Sequence, residues 1–223
     1  MQCEYCQQHI SQQLELSQLL WLKPVTQPQI CETCHSKFTR INSAHICAGC
    51  GRSGDYPRLC SDCQAWQQHR ALLHNRAIYH YDEMMRWYFE QYKFNGGYHL
   101  RTIFAAELSQ TLANKCLVPI PVTKHTMATR GFNQTLGLLD DNLWIVEALR
   151  CKFYDKVAQS KKNRVTRLQT QQPFAVTGEV QAILDQPVIL VDDVYTTGRT
   201  LYHAADCLHA AGVKNISSMT LAR

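Results

Sequence analysis

The stretch PVILVDDVYTTGRTL, residues 187–201, joins an apolar run to an acidic pair and a threonine-rich turn. Residues 188–191 are apolar without alternation and mostly β-branched, which predicts a short, buried, parallel strand. Asp192 and Asp193 follow at the carboxyl end of that strand, where open α/β sheets bind their ligands. The next segment, LYHAADCLHAAG at residues 201–212, has helical periodicity and ends at a glycine. A strand, a polar loop and a helix are therefore expected in succession.

A short polar loop between a strand and a helix N-terminus is typical of an anion-binding site. The backbone N–H groups and the helix dipole favour negative charge, and the threonine hydroxyls of the loop add donors. Gly198 allows a backbone conformation that is closed to residues with a Cβ. Because carboxylates repel a phosphate, Asp192 and Asp193 are expected to face ribose hydroxyls or a hard cation such as Mg²⁺. The whole pattern favours a sugar phosphate over the simpler alternative, a capped helix after an Asp-Asp turn.

The same stretch resembles the loop with which type I phosphoribosyltransferases bind 5-phosphoribosyl 1-pyrophosphate (PRPP). The shared pattern is a hydrophobic run, two acidic residues and then T-T-G-x-T. The resemblance implies that Asp192 and Asp193 contact the ribose hydroxyls and indirectly help Mg²⁺, while residues 196–200 surround the 5-phosphate. Upstream, the strand-like run LVPIPV contains two prolines, and the resemblance implies that residues 119–123 form a pyrophosphate loop.

Arg130 and Gly131 follow that second loop in the segment RGFNQ. A guanidinium group can bind a pyrophosphate oxygen through two hydrogen bonds, and the glycine gives access to the backbone. The structural alternative for Arg130 is an ion pair with Asp140 or Asp141. The candidate catalytic residues are Asp192, Asp193 and Arg130, and the candidate PRPP-binding residues are Asp192, Asp193, Thr196, Thr197, Gly198, Arg199, Thr200, Pro121, Val122, Arg130 and Gly131.

Eight of the eleven cysteines lie within the first 63 residues, as four C-x-x-C pairs. No export signal is recognisable at the N-terminus, so the pattern favours metal binding over disulfides. Two such pairs complete the closed, tetrahedral coordination of structural Zn²⁺. Sequential pairing is expected, although the spacing leaves cross-braced pairing open. The predicted zinc ligands are Cys3, Cys6, Cys31 and Cys34 for one ion and Cys47, Cys50, Cys60 and Cys63 for the other.

The positive charge of the chain is local. Residues 150–167 contain seven basic residues and one acidic residue, whereas the whole chain has a formal charge of +5. Eight thiolates around two Zn²⁺ ions would reduce that total to about +1. Such a segment can follow a nucleic-acid backbone without reading sequence, and the alternative is a charged surface that closes over PRPP. The candidate nucleic-acid-binding residues are Lys156, Lys161, Lys162, Arg164 and Arg167.

Composition predicts a double zinc ribbon over residues 1–65, a polar linker over 66–77 and an α/β domain over 78–223. Apolar residues at helical spacing predict helices within 81–94 and 99–112. The expected fold class is α/β, a phosphoribosyltransferase-like parallel sheet flanked by helices and preceded by the small double zinc-ribbon domain. No apolar run approaches the ~18 residues of a membrane-spanning helix, so a cytoplasmic protein without a membrane span is expected.

The cysteine pairs, KFNG at residues 93–96, the VPxP run, RGFNQ and VDDVYTTGRT occur in this order over nearly the whole chain. The chain resembles the ComF family of late-competence proteins, its ComFC type in particular. The resemblance implies a DNA-uptake accessory protein of natural transformation that binds single-stranded DNA and a ComFA-type translocase, with a Mg²⁺-dependent PRPP site. An association with the membrane DNA-uptake machinery is left open.

Two alternatives stay open at this point. The first is an active phosphoribosyltransferase, a pentosyl transferase in which PRPP loses pyrophosphate at C1 to an acceptor that no sequence feature identifies. The second is a catalytically inert scaffold of zinc ribbons and a transferase-like domain. The sequence lacks the G-x-x-x-x-G-K-[ST] motif, so ATP hydrolysis by a P-loop motor is not expected.

Overall fold

The computed structural model describes residues 1–10, 28–152 and 172–223. Within these ranges a four-stranded parallel sheet has the order β1-β6-β5-β2. A separate antiparallel pair is formed by β3 and β4. The strands are β1 (Asn75–Tyr79), β2 (Cys116–Pro119), β3 (Leu149–Cys151), β4 (Phe174–Val176), β5 (Val188–Val194) and β6 (Ile216–Ala222).

The central strand β5 contains the acidic pair rather than ending before it. Three of its four predicted residues are buried and Ile189 is half-buried, as expected for a strand with neighbours on both edges. The strand continues to Val194 because β6 runs alongside it, pairing Asp192 with Thr220 and Val194 with Ala222. The parallel strand is confirmed, and its expected end at Val191 is corrected by three residues.

The helices follow the predicted pattern in most places. The α-helices are α1 (Glu32–His35), α2 (Ser61–Gln67), α3 (Glu83–Phe94), α4 (Ala105–Leu112), α5 (Lys124–Arg130), α6 (Gln134–Gly137) and α7 (Arg199–Ala210), and 3₁₀ turns span Tyr98–Ile103 and Gly178–Ile183. The α3 helix begins where the Asp82 carboxylate accepts a hydrogen bond from the Met85 amide at 3.0 Å. The single helix expected over 99–112 is wrong, because Phe104 lies between the 3₁₀ turn and α4 with φ −121°, outside helical geometry.

Phe104 is the centre of an aromatic cluster that fixes this junction. Its ring is fully buried and lies 4.8–5.0 Å from the rings of Phe38, Tyr79 and Tyr88, measured between centroids. Phe38 follows the second cysteine pair, Tyr79 ends β1 and Tyr88 belongs to α3. The N-terminal segment, the sheet and the helices above it therefore share one hydrophobic core.

Alternate residues of the central strands face two separate cores. Leu117 and Val191 pack with α3 and with Cys3 and Cys34, whereas Val118 and Leu190 pack on the other side. That second core contains the apolar face of α7 and the four cysteines of residues 47–63. Each cysteine group is thus packed against its own face of the sheet.

The segment predicted as a linker, residues 66–77, contains the end of α2 and the start of β1, which leaves residues 68–74 as the irregular connection. The division at residues 65 and 78 stays a prediction. No helix in residues 1–10, 28–152 and 172–223 combines the length and the apolar character needed to cross a membrane.

Replacing Phe104 with alanine is expected to lower the free energy of unfolding by about 3–5 kcal/mol, because it leaves a cavity among four elements. Phe94→Ala is the matched control. That side chain is 73 % exposed, and its loss should change stability by no more than about 0.5 kcal/mol. Urea unfolding at constant zinc concentration measures both values, and equal losses in the two variants would contradict the assigned core.

Candidate functional site

A cavity of about 760 Å³ opens at the carboxyl ends of β2 and β5. It lies where parallel α/β sheets place their ligands. Its walls come from the loop after β2, from α5, from the end of β5 and from the start of α7. Of the residues that the sequence predicts to bind PRPP, those lining this cavity are Pro121, Val122, Arg130, Asp192, Asp193, Thr196, Thr197, Arg199 and Thr200.

The two remaining predicted residues, Gly131 and Gly198, shape the walls without lining them. Both have left-handed backbones, with φ of +86° and +79°. Gly131 ends α5, and its amide donates to the Met127 carbonyl at 2.8 Å. At Gly198 a Cβ would overlap the ring of Tyr195, so a larger residue would be excluded by space as well as by backbone conformation.

The acidic pair is almost completely buried at the floor of the cavity. Asp192 and Asp193 are 8 % and 5 % exposed. One carboxylate oxygen of Asp192 accepts from the Asp193 amide at 2.9 Å and from the Thr135 hydroxyl at 3.5 Å. Asp193 forms an ion pair with the ammonium of Lys93. Among the described residues, Lys93 is the one cation that forms an ion pair with this buried acidic pair.

Burial changes the protonation of these groups. It raises the pKa of Asp192 to about 7, against the opposing effects of the Lys93 charge and of the Thr135 hydroxyl. It also lowers the pKa of Lys93 to about 8, with the charge of Asp192 acting in the other direction. The site is thus expected to change its charge close to neutral pH, and added positive charge such as Mg²⁺ would favour the ionised carboxylates.

Lys93 is the main site residue to which the sequence interpretation assigned no role. It ends the apolar stripe of α3, four residues after Phe89, and its ammonium lies 4.4 Å from the centre of that ring. The sequence did contain a signal for such a role, because a lysine on a core-facing helical stripe needs a buried anionic partner. The identity of that partner depends on the sheet, about 100 residues further along the chain.

Arg130 is held at the cavity wall by neutral acceptors. Its Nε donates to the Lys93 carbonyl at 3.1 Å, and another N–H group donates to the Gln134 side chain. In the part of the chain that the structure describes, it makes no ion pair with Asp140 or Asp141. The guanidinium therefore lies next to the cavity, and no carboxylate of the described residues forms an ion pair with it.

The loop after β5 leads into α7, whose N-cap residue, Gly198, has no side chain to accept a hydrogen bond from the first turn. Within the loop, the Arg199 amide donates to the Thr197 hydroxyl at 3.4 Å. The loop carbonyls of residues 195–197 accept hydrogen bonds from Arg223 and Trp66. The open N-terminus of the twelve-residue α7 thus meets the cavity beside two threonines, as an anion site requires.

The eight predicted zinc ligands form two groups of four, in sequential pairing. Within each group all Sγ atoms lie within 4.8 Å of one another. The Cys6–Cys31 and Cys50–Cys60 sulfurs are 3.8 and 3.6 Å apart, close to the ~3.8 Å edge of a tetrahedron with ~2.3 Å Zn–S bonds. Amides of Cys31 and Cys60 donate to the sulfurs of Cys3 and Cys47 at 3.3 and 3.2 Å. The donor set and its spacing fit Zn²⁺.

The five candidate nucleic-acid-binding residues lie outside the described residues, within 153–171. The chain on either side of that segment is described. Cys151 precedes it, Pro173 and Phe174 follow it, and all three line the cavity. Described residues on both sides of the segment 153–171 therefore line the candidate PRPP site.

Comparison with known proteins agrees with this geometry. Residues 144–223 match the family model described as a phosphoribosyl transferase domain, which includes β5, the threonine loop and β6. Competence protein ComFC of Streptococcus pneumoniae is 34 % identical over 232 aligned positions, covering 100 % of both chains. The chain belongs to the ComFC family.

Two further relatives support the assignment of this ComFC-family protein. Competence protein ComFC of Bacillus subtilis is 33 % identical, with 99 % of this chain and 94 % of that protein aligned. Competence protein F of Haemophilus influenzae is 26 % identical over 87 % of this chain and 90 % of its own length. The similarity therefore covers the cysteine-rich segment as well as the transferase-like part.

The raised pKa of Asp192 predicts a specific pH dependence of stability. An aspartate has a pKa near 3.8 when unfolded, and the folded value is about 7. The favourable contribution of the protonated form is therefore complete below pH ~4 and is lost as the pH rises through 7. Relative to Asp192→Asn, the wild type should lose a few kcal/mol between pH 4.5 and 8. Urea unfolding of both proteins at each pH measures this difference, and parallel profiles would contradict it.

Proposed function

We propose that this ComFC-family protein acts in competence, as a cytoplasmic accessory protein of DNA uptake that binds Mg²⁺-PRPP, single-stranded DNA and a ComFA-type translocase. The observation that carries the proposal is the meeting of the buried acidic pair, Lys93 and the open α7 N-terminus in one cavity. The names of its relatives support the competence role.

The cavity suits PRPP in size and in the distribution of charge. Its volume of about 760 Å³ is within the ~300–1,000 Å³ typical of small-molecule sites. In this proposal residues 196–200 bind the 5-phosphate at the α7 N-terminus, and Asp192 and Asp193 bind the ribose hydroxyls. The loop at residues 119–123, together with Arg130 and Gly131, binds the pyrophosphate. Mg²⁺ accompanies the ligand and compensates the second carboxylate, for which the described residues provide no ion-pair partner besides Lys93.

The two cysteine groups are proposed to hold one structural Zn²⁺ each. All four ligand positions of each group are protein thiolates, so no position is open for catalysis. Because both groups are part of the hydrophobic cores on the two faces of the sheet, each ion would stabilise the sheet itself. In this proposal the two cysteine groups are parts of the cores of the sheet rather than an independent zinc-ribbon module at the N-terminus.

DNA binding is proposed for the basic segment, with the translocase as the protein partner. The described residues on either side of 153–171 line the cavity, so a single strand bound by the basic segment would lie close to bound PRPP. Its charge would give affinity without sequence preference and a strong dependence on salt. Association with membrane uptake machinery would then occur through the translocase.

Phosphoribosyl transfer is the second candidate function. In that reaction a nucleophile forms a bond to C1 of PRPP while the C1–O bond breaks and pyrophosphate leaves with the electron pair. Asp192, Asp193 and Arg130 are the candidate catalytic residues. The pKa of Asp192 near 7 supports this candidate, since such a carboxyl group can exchange a proton at neutral pH. Binding without turnover would leave the protein as the PRPP-binding accessory protein proposed above.

The PRPP site is tested by calorimetric titration of Mg²⁺-PRPP into the wild type and into Asp192→Asn/Asp193→Asn. The variant should bind at least about tenfold more weakly, because it loses the charge that holds the cation and two ribose acceptors. Asp140→Asn/Asp141→Asn is the matched control, an adjacent acidic pair outside the cavity lining. Its affinity should equal that of the wild type.

Failure of the wild type to bind would refute the PRPP proposal and favour the inert scaffold. Pyrophosphate release is measured on the same samples with and without single-stranded DNA. Release above background would establish transfer, and release only with DNA would identify a nucleic-acid acceptor or trigger.

The DNA site is tested with a variant that replaces Lys161, Lys162, Arg164 and Arg167 with alanine. Single-strand affinity should fall, and the slope of log K against log salt should become shallower by roughly 3, about 0.7 per charge removed. Lys115→Ala/Lys214→Ala removes two charges that line a different cavity, beside the amino ends of the strands, and should leave the slope close to that of the wild type. An unchanged slope in the first variant would place the DNA path elsewhere.

A further inference from the structure

We infer that Arg223 is a positioning residue that connects the second cysteine group to the PRPP loop, so that the metal-loaded group holds the loop in its binding shape. The second cysteine group means Cys47, Cys50, Cys60 and Cys63, and the PRPP loop means residues 195–198. The inference rests on the proposed PRPP function of that loop. It adds that the shape of the loop depends on the second cysteine group.

One guanidinium contacts both partners. The Nη2 of Arg223 donates to the sulfur of Cys50 at 2.9 Å. Its Nη1 donates to the carbonyls of Tyr195 and Thr196 at 3.2 and 3.1 Å. The charged group also lies 4.3 Å from the centre of the Tyr195 ring. Such charge-assisted hydrogen bonds are strong and directional, so the position of the sulfur and the position of the loop are linked.

The backbone of Arg223 fixes the side chain between these partners. Its amide donates to the Tyr79 carbonyl at 2.9 Å, and its carbonyl accepts from the Tyr81 amide at 2.8 Å. Arg223 is therefore anchored at the end of β6, against β1. Because the backbone is held in place, the side chain loses less conformational entropy when it forms these contacts, which favours a specific contact over a transient one.

A second connection runs from α2, which contains Cys63, to the same loop. The indole Nε1 of Trp66 donates to the Thr197 carbonyl at 3.2 Å. The Trp66 ring packs on Tyr202 of α7 at 4.3 Å between centroids. Three consecutive carbonyls of the loop, at residues 195–197, thus accept hydrogen bonds from groups tied to the second cysteine group.

Electrostatics explains why metal loading matters for this contact. Four thiolates around one divalent ion carry a net charge of −2, and that charge attracts the guanidinium of Arg223. Without the ion, the four sulfurs repel one another when ionised and lose their fixed spacing. The hydrogen bond to Cys50 and the restraint on the loop would weaken together. The first cysteine group lies in the core on the other face of the sheet and has no corresponding contact among the described residues.

The ligand readout is Mg²⁺-PRPP affinity of the zinc-loaded protein. Arg223→Ala is expected to bind about tenfold more weakly, and Arg223→Lys, which keeps the charge but not the forked geometry, should lie between it and the wild type. Arg76→Ala is the matched control. Arg76 donates to the carbonyls of Asn75 and Ala48 at 3.0 and 3.5 Å but does not contact the loop. Its affinity should be unchanged.

Two further measurements need no PRPP. One reports on the Cys50 sulfur and the other reports on the PRPP loop. In cobalt-substituted protein, Arg223→Ala should shift the thiolate-to-metal absorption, because it removes a donor from the Cys50 sulfur. In NMR spectra, the Trp66 indole N–H signal, assigned with Trp66→Phe, should shift and exchange with solvent several-fold faster. Metal analysis should give two ions per chain for Arg223→Ala, Arg223→Lys and Arg76→Ala, which shows that the variants are folded.

The outcomes separate this inference from the proposed function. If the wild type does not bind PRPP, the proposed function fails, while the cobalt and indole signals still decide whether Arg223 connects the two sites. A shift of both the cobalt absorption and the Trp66 indole signal in Arg223→Ala, with neither shifted in Arg76→Ala, supports the connection. An unchanged indole signal or an unchanged cobalt spectrum in Arg223→Ala would overturn it, as would full PRPP affinity in a wild type that binds.

Discussion

Burying two adjacent carboxylates at the end of a strand is the constraint on which the site depends. An uncompensated charge in such a place costs several kcal/mol, so the surrounding structure has to provide a cation and donors. Lys93 supplies the cation from the end of α3, and Thr135 and the Asp193 amide supply donors to Asp192. The acidic pair thereby determines how α3 and α6 lie relative to the end of β5.

The cysteine-rich segment completes the two hydrophobic cores on either side of a small sheet. The four-stranded sheet has apolar residues on both faces, and one cysteine group covers part of each face. The first group meets the aromatic cluster around Phe104, and the second meets α7. An ion bound within each group would act as a rigid part of a core, in place of the extra helices of a larger domain.

These two features come together at the loop after β5. On its cavity side the loop offers threonines and an open helix N-terminus, and on the other side its carbonyls are held by Trp66 and Arg223. An anion site is most selective when its donors are fixed before the ligand arrives. In the proposed function, the contacts of Arg223 and Trp66 would let the second cysteine group provide that preorganisation.

The local chemistry of this protein could be predicted from its sequence. The apolar run, the acidic pair and T-T-G-x-T predict strand, site and helix, and the C-x-x-C spacing predicts both cysteine groups. Each pattern depends on neighbouring residues, whose backbone geometry is restricted by their own composition. The end of β5, the break at Phe104 and the contacts of Lys93, Trp66 and Arg223 became clear only from the tertiary structure. Each of these depends on partners from distant segments, because strand pairing and side-chain burial are set by packing rather than by local sequence.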